Sequence, residues 1–121
     1  MKDNIIVDKS KAFAIRIVKL HRYLCDEKKE FVMSKQLLRS GTSIGANVKE
    51  AIRAQSKADF TSKMNIALKE ASETEYWLET LHETDYLDEI KFKSIYFDCQ
   101  ELLKILHSIV KTSRNSNNYA L

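Results

Sequence analysis

The sequence predicts an all-α protein, an antiparallel up-down-up-down four-helix bundle, and three observations carry the prediction. The first is composition: 121 residues with no proline, two glycines and 31% charged residues suit long helices in one domain and disfavour a turn-rich β fold. The second is period. Leu37, Gly41, Ile44, Val48 and Ala51 recur at alternating steps of four and three, as do Phe60, Met64, Ala67, Ala71, Thr74, Leu78 and Leu81. That repeat marks helices lying nearly parallel and interlocking along a seam. The third is punctuation, since Ser56 and Asp88 stand as capping residues just before new periodic segments.

The first helix is expected to start near Asp8 or Ser10, with Phe13, Ile17, Leu20 and Leu24 as its apolar stripe, and to fade in the charged run 26–30. The second should begin between Phe31 and Ser34 and run to about Gln55. Arg39–Gly45 weakens it, because each glycine costs about 1 kcal/mol against alanine in a helix interior. The heptad nevertheless keeps its phase through both glycines, so one continuous helix is expected, with small residues that let a neighbouring backbone approach. Ser56 and Asp59 open the third helix, close to a capping box, and it should reach about Thr84. After Asp88 the fourth carries Ile95, Cys99, Leu102, Leu106 and Ile109 as a stripe, which predicts that Cys99 is buried and reduced. Four helices of about 20 to 28 residues span roughly 30 to 42 Å. The bundle is expected over residues 8–112, and 113–121 as a disordered tail without periodicity.

The charge is +3 overall but unevenly spread. Residues 1–30 carry eight Lys/Arg against five Asp/Glu, and residues 31–55 four against one. Residues 56–84 reverse the balance, three against six, and residues 85–121 are neutral. The basic half serves either a polyanion or the complementary packing of helices and subunits. No apolar run marks a signal peptide or a membrane span, so a cytoplasmic protein with no membrane partner is expected.

Catalytic and metal chemistry find little support. His21, His82 and His107 lack partners at ligand spacing, and neither Cys-x-x-Cys nor His-Glu-x-x-His occurs. Residues 41–45 lack the lysine and preceding strand of a phosphate loop. Glu70 and Glu73 would need Glu-x-x-His partners to hold a di-metal site, and ion pairing with Arg39, Lys49 or Arg53 is the better reading. Asn47 and Glu50 lie near the seam of the second helix, where Ser72, Thr74 or the arginines could satisfy them. No cofactor, no metal and no enzyme activity are expected. For nucleic acid, Arg16, Lys19 and Arg22 on the first helix and Arg39, Lys49 and Arg53 on the second are spaced to follow phosphates. Trp77, Tyr76, Tyr86 and Tyr96 form an apolar surplus that would instead suit a protein partner.

Two blocks carry a resemblance. Arg39-Ser40-Gly41-Thr42-Ser43-Ile44-Gly45-Ala46-Asn47-Val48-Lys49-Glu50-Ala51 resembles the signature of the small bacterial four helix bundle proteins, also called 23S rRNA intervening-sequence proteins or the S23 ribosomal protein family. The segment from Ile66 to Leu78 is similar to that family's second block, and the likeness spans roughly residues 10–112. Ala51 departs from the pattern, in which glycine is common. The resemblance implies that Arg39, Ser40, Ser43, Asn47, Glu50, Glu70, Thr74 and Trp77 are structural motif residues of a bundle assembling as a ring-like homopentamer. It also implies a nucleic-acid setting, since a related branch comprises accessory proteins of diversity-generating retroelements. The expected function is therefore a homo-oligomeric bundle that binds RNA, DNA or a nucleoprotein partner. A protein scaffold without nucleic-acid contact is the alternative.

Overall fold

Four helices follow one another in the order α1 (Lys2–Asp26), α2 (Met33–Ile52), α3 (Lys57–Glu83) and α4 (Glu89–Tyr119). The structure, a computed structural model, describes the backbone of residues 2–119 and the side chains of 5–115. Each helix packs on the next, and α1 meets α4 over a smaller area to close the ring. Cross-helix contacts run in opposite directions at each seam: Ile17 meets Gly41 while Ser10 meets Gly45, and Cys99 reaches Ala71 while Ser113 reaches Thr61. The packing is antiparallel throughout.

The stripes read from the sequence form the core. Leu37, Ile44, Val48, Ala51, Met64, Ala67, Ala71, Leu78 and Leu81 are all at most 1% exposed. Ile95, Cys99, Leu102, Leu106 and Ile109 fill the α4 side. Burying a side chain of the size of Leu or Ile in this way stabilises by about 1.5–3 kcal/mol. A buried polar contact crosses the α2–α3 seam, between Thr74 Oγ1 and Ser40 Oγ at 3.0 Å. Thr74 also bonds the Glu70 carbonyl at 2.8 Å, so neither hydroxyl is stranded in the core.

Helix α2 passes unbroken through the glycines, as the heptad phase required. Their role is proximity. A Cβ at Gly41 would lie 2.8 Å from both Cγ1 and Cγ2 of Ile17, and one at Gly45 would lie 3.2 Å from the Ser10 carbonyl oxygen. These two positions therefore set how closely α1 and α2 approach.

The ends of the elements require three corrections. α1 begins at Lys2 and not near Asp8, because Ile6 and Ser10 extend its buried stripe backwards at the same four-three spacing. α4 passes the expected boundary at 112 and continues through Tyr119, beyond buried Ile109 and Val110 and the Thr61–Ser113 hydroxyl contact. Residues 113–119 are thus helix; Ala120 and Leu121, the rest of the expected tail, lie outside the described residues. α2 is capped by a residue the sequence did not single out. The buried Glu30 carboxylate accepts from the amides of Val32, Met33 and Ser34 at 3.3, 3.2 and 2.7 Å.

Ser56 and Asp88 act as expected, accepting from the amides of Asp59 and Lys91 at 3.0 and 2.8 Å. That bond from Lys91 is the main reason the Asp88 carboxyl sits below its ordinary range. The α3 terminus closes with the Tyr86 amide on the Leu81 carbonyl at 2.9 Å and the Asp85 amide on the His82 carbonyl at 3.1 Å. This motif puts Asp85 at φ 70°, a left-handed position that glycine usually fills. No described helix is long and apolar enough to cross a membrane.

Candidate nucleic-acid interface

The fold sorts the six expected cations into two groups. Arg16 turns from α1 onto α4, where it binds Asp98 at 2.5 Å and donates to Ser94 Oγ at 2.9 Å. Arg39 reaches from α2 to α3, donating to Glu70 at 3.2 Å and to Glu73, whose carboxylate also accepts from Trp77 Nε1 at 2.9 Å. Arg39 holds the Glu73 carboxyl below its ordinary value, and Glu73 in turn raises the arginine. These two arginines tie helices together, and their charge is matched.

Lys19, Arg22, Lys49 and Arg53 are different. All four are exposed, and none has a carboxylate partner among the described residues. Lys49 and Arg53 stand with Lys11 around a groove of about 630 Å³ between α1 and α2, lined also by Val7, Ala14 and Ile52. The groove exists because Gly45 and Ala46 present little side chain there, and no acid lines it. Its cations can therefore neutralise a bound polyanion without first breaking an ion pair.

The motif residues behave structurally. Ser40 and Thr74 form the buried contact, and Ser43 donates to the Arg39 carbonyl at 2.6 Å. Asn47 caps inward on the Ser43 carbonyl at 2.8 Å, and Glu50 pairs with Lys63 at 3.1 Å. Their expected partners, Ser72, Thr74 and the arginines, are replaced by these nearer groups. The aromatic surplus also shrinks. Trp77, Tyr86 and Tyr96 pack against the core, leaving Tyr76 exposed at 58%. Tyr96 donates to Glu79 at 2.6 Å, and this bond, with burial and Glu75, raises its hydroxyl well above the ordinary phenol value. The most exposed large apolar side chains among the described residues are instead Phe31, Val32, Ile90 and Phe97.

Lys69, Lys104, Lys111 and Arg114 form a cluster that their positions along the chain do not reveal. They converge on a groove between α3 and α4 and have no carboxylate partner among the described residues. Linear charge counts conceal them, because the acids of the same segments face other neighbours: Glu70 and Glu73 take Arg39, Asp98 takes Arg16 and Glu101 takes Lys9. Helical projection of α4 would have aligned Lys104, Lys111 and Arg114. Divided at the helix midpoints, the end made by residues 5–14, 43–70 and 104–115 carries ten Lys/Arg against four Asp/Glu. The other end carries nine against twelve. The basic half of the chain is thus reshaped into a basic end of the bundle.

Among the described residues, no three of His, Cys, Asp and Glu group as a metal site. His82 bonds the Leu87 carbonyl at 3.0 Å, and His21 lies 3.1 Å from that of Ser34. Cys25 and Cys99 are both free thiols, and Cys99 is fully buried.

A crystal structure from Bacteroides thetaiotaomicron, of a protein of unknown function from the S23 ribosomal protein family, is 61% identical with a TM-score of 0.90, covering 92% of this chain and 99% of that one. No curated protein matches the chain. The model of the 23S rRNA-intervening sequence protein family matches residues 2–108. The chain belongs to that family.

Proposed function

We propose that the protein is a non-enzymatic, cytoplasmic, homo-oligomeric bundle, pentameric when assembled, that binds nucleic acid or a nucleoprotein partner through basic residues of α1 and α2. The observation that carries this reading is the acid-free groove where Lys11, Lys49 and Arg53 meet at the basic end. Lys19 and Arg22 extend the positive field along α1, whereas Arg16 and Arg39 support the scaffold. The family's reference to 23S rRNA fits an RNA setting. Symmetric assembly would repeat one modest patch around a ring. Lys49→Glu with Arg53→Glu is expected to weaken binding of a labelled structured RNA at least tenfold at low salt; unchanged affinity would remove these residues from the interface. Light scattering at micromolar concentration checks the assembly, and a monomer mass would contradict it.

The second reading is a protein scaffold. It is favoured by Val32, Ile90 and Phe97, which are 74%, 83% and 70% exposed. A protein partner retained after nuclease treatment, with no binding of purified RNA or DNA, would establish that reading over the first.

A further inference from the structure

We infer that the groove between α3 and α4 is a second phosphate-backbone site, which holds one strand of a nucleic acid apart from the α1–α2 face. This rests on the reading of the protein as a nucleic-acid binder. The groove has a volume of about 770 Å³. Lys104, Lys111 and Arg114 follow one wall, and Lys69 stands on the other. Along α4 the three cations span ten residues, or about 15 Å at 1.5 Å per residue. That length matches roughly four to five steps of a stacked strand at 3.4 Å each.

Beside the cations the lining offers uncharged groups that can donate to phosphate or sugar oxygens: Asn65 and Ser72 on α3, and Asn115 on α4. Leu68 and Leu103 floor the groove and are partly covered by the core. The one acid in the lining, Glu75, accepts a hydrogen bond from Gln100. Four cations against one occupied carboxylate leave a net positive channel. Its four cations, set in a mixed polar and apolar lining, fit a phosphodiester chain better than a folded protein surface. The site is a property of packing, since Lys69 and Lys104 lie 35 positions apart and meet only across the α3–α4 seam.

The test compares wild type, Lys104→Glu/Lys111→Glu and Lys49→Glu/Arg53→Glu by fluorescence anisotropy with a labelled 20-nucleotide single-stranded RNA and a 20-base-pair duplex. Lysine acetylation footprinting of wild type with the RNA supplies a readout independent of any variant's folding. The inference predicts that Lys104→Glu/Lys111→Glu weakens binding of the single strand at least tenfold and lowers its salt slope by about 1.4, two contacts at about 0.7 each. It also predicts protection of Lys69, Lys104 and Lys111 from acetylation. If wild type binds but this variant matches it and the lysines stay reactive, the groove assignment is overturned while the functional reading survives. If wild type binds neither nucleic acid, the functional reading fails and the groove with it. Loss on duplex alone would overturn the single-strand assignment.

Discussion

Gly41→Ala sets two physical effects of known sign against each other. Alanine is the better helix former by about 1 kcal/mol in a helix interior, so α2 considered alone would gain. The new methyl, however, would sit 2.8 Å from both Cγ1 and Cγ2 of Ile17 and 3.1 Å from its Cδ1. Carbon atoms prefer about 3.5–4.0 Å, so the contact must open by close to 1 Å. Ile17 is fully buried, and both Cγ atoms hang directly on its branched Cβ, so rotation about χ1 offers little relief. The remaining escape is to push α1 away from α2, an overpacking strain of about 1–3 kcal/mol. Strain wins, and the expected net loss is about 1 kcal/mol, or about 4 °C in Tm for a chain of this size. Urea unfolding followed by helical circular dichroism measures it. Ile17→Ala alone should cost about 2–5 kcal/mol, and the double variant should lose at least about 1 kcal/mol less than the sum, because the added methyl occupies part of the new cavity. A Gly41→Ala variant more stable than wild type, with additive effects in the double variant, would refute the close approach of α1 and α2.

Other outcomes follow from local chemistry. Arg39 holds the Glu73 carboxyl below 4.5, so this pair contributes stability above that pH and loses it as pH falls through the lower folded value. Arg39→Met should therefore unfold at lower urea than wild type near neutrality, with the gap narrowing below pH 4.5; a gap independent of pH would contradict the assignment. Burial pushes the Cys99 thiol up to about 12 from 9, so its contribution is complete below pH 9 and is lost as pH rises toward 12. At pH near 8, Ellman's reagent should modify half-buried Cys25 at least tenfold faster than Cys99, and equal rates would place Cys99 outside the core. Asp85→Gly should stabilise by about 0.5–1 kcal/mol, because glycine adopts φ 70° without strain and the change removes an acid from a helix C-terminus. A loss of stability there would contradict the terminus described for α3.

The seams were legible because a heptad is a physical instruction: Leu37 through Ala51 and Met64 through Leu81 could be buried together only by helices lying side by side. Ser56 and Asp88 were legible for the same reason, since free amides need acceptors. Glu30 was not, because its carboxylate caps α2 from a position where a sequence offers only a run of charges. The binding surface was half legible. The sequence allows Arg39 to serve as a partner of Glu70 and Glu73 or as a phosphate contact, and the structure shows it in the first role. Lys49 and Arg53 are close in sequence and share a groove. Lys69 and Lys104 gain their meaning from the α3–α4 seam alone.

The most direct measurement is the salt dependence of wild-type binding, read by anisotropy with labelled structured RNA and duplex DNA at roughly 50 and 200 mM salt. Saturable binding that weakens at least tenfold over that range is expected, as the release of several counterions requires. No binding at the lower salt, or binding indifferent to salt, would contradict a nucleic-acid role for the basic end of the bundle.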